Sequence, residues 1–167
     1  MPVQTSIKPS LSQGAAGTHF SAWSANNGRI RTRGLELDVG AKSKERVFGL
    51  AAIRGTVAGE TVVIPTTTFT ADLFEGVVMN NFLEELELSG SYSVDAGSAV
   101  GTCDIGDIWV QVPDGVEPKY GEPIFVVTTG NGAGKFTNNS GAGVSIPGRF
   151  LGGRTDEGIA PVELRRG

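Results

Sequence analysis

The stretch TGNGAGKFT, from Thr129 to Thr137, places Gly134 and Lys135 as a phosphate-binding loop would. Such a loop also needs a glycine at its first position and a hydroxyl residue after the lysine, so that backbone amides cradle phosphate and the hydroxyl reaches magnesium. Thr129 and Phe136 occupy those two positions, and no helical pattern follows. The segment therefore reads as a glycine-rich hairpin loop. Asp104, Asp107 and Asp114 could supply paired carboxylates or calcium ligands, but they lack the spacing of a calcium loop and a second ligand cluster. Turn and edge roles are predicted for them, and Glu84, Glu85 and Glu87 read as a solvated face. His19 is the one histidine, which excludes a metal site built on histidines and leaves a nucleophilic triad without a natural base. Cys103, the one cysteine, has no disulfide partner within the chain. The neighbouring Asp104 disfavours its thiolate. No catalytic residue, cofactor site or metal site is expected.

Two further groups are suited to contact rather than catalysis. Arg29, Arg31 and Arg33, in RIRTR, alternate as strand residues do and place three guanidinium groups on one side. They either face solvent or pair within the chain, or they meet an acidic protein neighbour through forked contacts. Phe20 and Trp23 carry large apolar surfaces in a segment otherwise rich in small and polar residues. Both readings of that pair remain open: docking on their own domain, or on a neighbour.

The elements that must position these residues are short strands. Residues 1–34 read as an extended N-terminal arm, and residues 35–167 as the β-domain. An arm of about 20 extended residues spans on the order of 60 Å. Beyond it, β-type runs recur between turn signals: VFGLAAI, TVVIP, FEGVVM, SAVGTCD, DIWVQV, PIFVVTT, KFTN, GVSIP, RFLGG and IAPVELR. This rhythm predicts an all-β, mostly antiparallel sandwich or barrel. In DIWVQV, Ile108, Val110 and Val112 share the core face while Trp109 and Gln111 share the other. Ile105 and Gly106 read as a two-residue turn, making a tight hairpin of GTCDIGDIWV. PIFVVTT, apolar on both faces, predicts burial on both sides, within a sandwich or against a partner. MNNFLEELELSG fits a short helix or a strand equally. Core anchors are expected at Ile108, Trp109, Val110, Phe125 and Phe150, and Tyr120 is expected at the exposed tip of the loop PDGVEPKYGEP.

Bulk properties agree with this reading. The 167 residues include 25 Gly and 8 Pro, a turn-rich balance that disfavours helical bundles. A chain of this length buries roughly two-thirds of its unfolded surface. The formal charge of -4 argues against nucleic acid as the main partner. No run approaches the ~18 apolar residues of a membrane helix, and the N-terminus lacks the pattern of a signal peptide, so no membrane partner is expected and synthesis in a cytoplasm is.

Taken in order, MPVQTSI, GDIWVQVPDGVEPKYGEPIFVVTTG, GKFTNNSG and IPGRFLGG followed by GIAPVELRRG resemble the structural cement, or head decoration, proteins of tailed bacteriophages. The matching positions are Met1 to Gln4, Gly106 to Val110, Gly121 to Ile124, Gly134 to Phe136, Pro147 to Phe150 and Gly158 to Leu164. The resemblance implies a jelly-roll-like β-protein without enzymatic activity. It would bind the outer surface of an icosahedral head as a homodimer or homotrimer, bridging major capsid protein subunits against the pressure of packaged DNA. On that reading the contact elements are Phe20, Trp23, Arg29, Arg31, Arg33 and Tyr120. The alternative is a carbohydrate- or receptor-binding β-sandwich of a virion, with Trp109 or Tyr120 as the sugar platform. An enzyme of trimeric β-fold is disfavoured by the single histidine.

Overall fold

The longest strand, Ala99–Gln111, belongs to two sheets at once and organises the molecule. The computed structural model describes residues 14–21, 28–36, 47–80 and 97–165. Its strands, in chain order, are β1 (Arg29–Glu36), β2 (Ala51–Arg54), β3 (Thr61–Val63), β4 (Phe74–Val78), β5 (Ala99–Gln111), β6 (Pro123–Val127), β7 (Phe136–Thr137), β8 (Gly143–Phe150) and β9 (Ile159–Leu164). Two single 3-10 turns, Ala71–Leu73 and Gly130–Gly132, are the helical elements among the described residues. The predicted all-β, mostly antiparallel fold is what forms.

Strands β1, β3, β2, β4 and β5 pair in that order, and β5 pairs back onto β1, closing a five-stranded barrel. The β1–β3 pair is parallel and the other barrel pairs are antiparallel. The second half of β5 then starts an open antiparallel sheet in the order β5, β9, β8, β6, β7. Closure leaves the barrel without an edge, and the far edge of the open sheet is the two-residue β7, too short to template pairing with another chain.

Side-chain alternation sends neighbouring residues into different cores. Leu35, Ala52, Val62, Val78 and Val100, one from each barrel strand, fill the barrel interior. Their neighbours Ala51 and Val77, with Cys103, face outward into a larger cluster containing Ile108, Val110, Ile124, Val126, Phe136, Phe150, Val162 and Leu164. The open sheet is thus packed against the barrel's outer wall. The apolar runs of the sequence are dense because β2, β4 and β5 must be apolar on both faces.

Two expectations are corrected here. The predicted hairpin at Ile105–Gly106 does not form, and β5 runs straight through it. Gly106 adopts φ 134°, which bends the strand where it leaves β1 and β4 and takes β9 as its partner. A turn-like dipeptide stays extended because partners wait on both sides of it. GVSIP and RFLGG likewise join as one strand, β8, with Pro147 at the register shift between β6 and β8, where a missing N–H is tolerated. In β6 one face is fully buried, with Ile124 and Val126, while Phe125 and Val127 on the other are half-buried.

The boundary expected at residue 34 falls inside β1, so RIRTR is barrel wall. The described part of the preceding segment docks on its own domain. Trp109 receives a hydrogen bond at its carbonyl from the Gly17 amide (2.8 Å) and donates its own amide to Thr18 (2.9 Å), while the Phe20 amide donates to Asp107 (2.9 Å). Residues 17–20 therefore pair with the side of β5 opposite β9. The question of helix or strand at MNNFLEELELSG falls on residues 81–90, outside the described residues.

Candidate protein-interaction site

Alternation along β1 puts Arg31 and Arg33 on the face that carries Leu35, opposite Thr102 and Val100 of β5. The barrel interior is therefore apolar around Leu35 and ionic toward the start of β1. A bulge between Arg29 and Ile30 brings Arg29 to Asp104, where its Nε donates to one carboxylate oxygen at 2.7 Å and its second fork nitrogen to the other. This forked bond, more than the charge itself, holds the Arg29 guanidinium above its ordinary pKa. Arg31 lies 3.8 Å from both Asp104 and Glu75, Arg33 lies 3.8 Å from Glu75, and Arg54 of β2 lies 3.4 Å from Glu75. The side chains of Glu75 and Asp104 are 13% exposed, whereas those of Arg29, Arg31 and Arg54 are 36–41% exposed. Arg33, at 14%, is as buried as the acids, and the other three arginines are the more exposed partners.

Tyr120 marks a second surface. Its loop is pinned by reciprocal hydrogen bonds with the end of β8, the Gly121 amide donating to Phe150 (2.9 Å) and the Phe150 amide to Glu122 (2.9 Å). Tyr120 itself is 67% exposed. The Arg149 guanidinium stacks on its ring at 5.4 Å from the centroid. Arg165 and Arg149 both donate to Glu163, at 2.9 and 2.6 Å, and hold its carboxyl below the usual range. An exposed aromatic on a fixed loop beside arginine is the composition enriched in protein interfaces.

Phe20 packs edge-on against Trp109, with centroids 5.3 Å apart and planes at 75°, and remains 36% exposed. Trp23 lies outside the described residues. Of the expected core anchors, Ile108, Val110 and Phe150 are fully buried and Trp109 is 7% exposed, while Phe125 is half-buried. The fully buried Phe136 of β7 is not marked as a core residue by the sequence, because its run, KFTN, is too short to show a period. Glu75 was also missed. Nothing in FEGVV marks that glutamate as the inner partner of three arginines on two other strands.

The residues with chemical potential are committed elsewhere. TGNGAGKFT is a loop between antiparallel β6 and β7, with a 3-10 turn where a phosphate loop needs a helix. Asp104 is held by Arg29, Asp107 accepts from Ser21 Oγ at 3.0 Å, and Asp114 pairs with Arg154 at 2.5 Å. Asp104 and Asp107 are strand residues rather than turn residues, another consequence of the continuous β5. Burial pushes the Cys103 thiol up to about 11, with Asp104 and Asp107 adding to the shift. His19 bridges Ile108 through its backbone. A cleft of about 610 Å³ opens between residues 15–16, the end of β5 and the loop before β9, with charges of both signs around it. Among the described residues, no group of three or more His, Cys, Asp or Glu is placed to hold a metal, and no helix is long and apolar enough to cross a membrane.

A family model described as structural cement protein (E217 gp24/Pam3 gp6) matches residues 3–165. The chain belongs to this family of phage structural cement proteins. No curated protein matches the chain. Among solved structures, a chain from "The capsid of Myoviridae Phage XM1" has the same fold, with a TM-score of 0.69 at 17% identity over 99% of each chain. The family match therefore takes in the docked N-terminal segment, the barrel and the open sheet together.

Proposed function

We propose that this cement protein binds the outer surface of the phage head as a homodimer or homotrimer and stabilises contacts between major capsid protein subunits. The observation that carries the proposal is the match to the structural cement family from residue 3 to residue 165. The work is mechanical: each copy adds interface area across a joint, and repetition over a shell makes modest contacts collectively strong. No catalytic step and no cofactor are part of the role, and the acidic chain contacts neither DNA nor membrane. Phe20, Trp23, the Arg29–Arg33 ladder and Tyr120 supply the contacts.

Of the two residues the carbohydrate-binding alternative would use, Trp109 is 7% exposed and packed against Phe20, while Tyr120 is 67% exposed. The test is to add the purified protein to expanded heads assembled without it. Binding with a raised temperature of head rupture is expected. Absence of binding, or binding with no gain in resistance to heat or osmotic shock, would overturn the proposal.

A further inference from the structure

We infer that the arginine-covered end of the barrel is a docking site for a carboxylate-rich segment of a capsid protein. The inference rests on the head-binding role proposed above and specifies the chemistry of one contact. Among the described residues, four guanidinium groups, Arg29, Arg31, Arg33 and Arg54, face two carboxylates, Glu75 and Asp104. Two positive charges are left over.

Their donors are left over as well. A guanidinium carries five N–H groups in a fixed fork. Arg29 spends its fork on Asp104. Arg31 meets its carboxylates at 3.8 Å, too far for a hydrogen bond. Arg33 reaches Glu75 at 3.8 Å and its own strand's Thr32 carbonyl at 3.3 Å, and its buried Nε has no hydrogen-bond partner. Arg54 makes two long contacts of 3.4 Å, to Glu75 and to the Asp72 carbonyl.

The geometry also selects the ligand. Glu75 and Asp104 are the less exposed partners of Arg29, Arg31 and Arg54, whose side chains keep 36–41% of their surface exposed, so a carboxylate can reach these three without displacing either acid. A long polyanion such as DNA would run beyond this patch onto a chain whose formal charge is -4, within a Debye length of about 10 Å. A short acidic segment avoids that repulsion and gains steering from the local reversal of sign.

The experiment uses expanded heads lacking the protein, to which wild type, Arg31→Gln/Arg54→Gln and Arg31→Lys/Arg54→Lys are titrated at low and high ionic strength. The double Gln variant is expected to bind roughly tenfold or more weakly at low salt, with a flattened salt dependence. The Lys variant should fall between, since it keeps charge but not the fork. Arg54→Gln by itself, at the more exposed site, gives the same comparison if the double variant melts early. Wild-type affinity and salt dependence in the Gln variants would overturn this inference while leaving head binding intact. Failure of wild type to bind heads at all would instead overturn the head-binding role.

Discussion

Cys103 shows how the same residue type carries different consequences in different settings. An exposed thiol near its ordinary value is partly thiolate in mild alkali, but Cys103 is fully buried between β4 and β1 and its thiol titrates at about 11. A thiol reagent at mildly alkaline pH is therefore expected to label the denatured chain fully and the folded chain not at all. Rapid labelling of the native protein would show that this part of the barrel opens locally. The sequence already implied an inert thiol from its acidic neighbour. The larger cause, burial, depended on β1 closing over β5, which no local signal predicts.

At the scale of elements, the barrel closes through a bulge. Ala52 faces Gly76 and Ile53 faces Phe74, so Glu75 is the extra residue of β4 and turns toward the arginines. Gly76 has φ 131°, and a Cβ there would sit 2.6 Å from the Cys103 carbonyl oxygen. Gly76→Ala is expected to destabilise the fold by about 3 kcal/mol, through backbone strain and a clash with the neighbouring strand. Urea denaturation measures it, and a shift near zero would mean that β4 and β5 can part without loss. Because the bulge orients Glu75, the variant should also disturb the arginine network. Strand positions were largely legible from alternating runs, whereas the continuity of β5 and β8 was not. IG and PG look like turns locally, and a strand passes through them only because partners lie on both sides.

Across the whole molecule, carboxylates in three separate places tie acid stability to tertiary contacts. Glu36 accepts from Thr56 Oγ1 (2.6 Å) and the Thr56 amide (3.0 Å), Glu122 from Asn138 Nδ2 (2.7 Å) and the Lys119 amide (2.8 Å), and Glu163 from Arg165 and Arg149. All three are held below the ordinary value of 4.5. A depressed folded value adds stability that is complete above the unfolded value and lost as pH falls through the folded one. The urea midpoint should therefore be flat from neutral pH down to the usual carboxylate range and decline below it. Glu163→Gln should lower the neutral midpoint and weaken the acid decline; an unchanged pH profile would mean that its arginine contacts add nothing.

The sequence by itself determined the β class, the strand faces and the resemblance to phage cement proteins, because periodicity, turn residues and ordered short motifs are local properties. Tertiary structure alone decided that RIRTR is barrel wall, that β5 serves two sheets, and that Trp109 is covered by Phe20. It also decided that four arginines gather around two acids. Those outcomes depend on pairings between residues far apart in the chain, such as Arg29 with Asp104 and Arg54 with Glu75, and ring closure that brings them together leaves no mark on any short stretch of sequence.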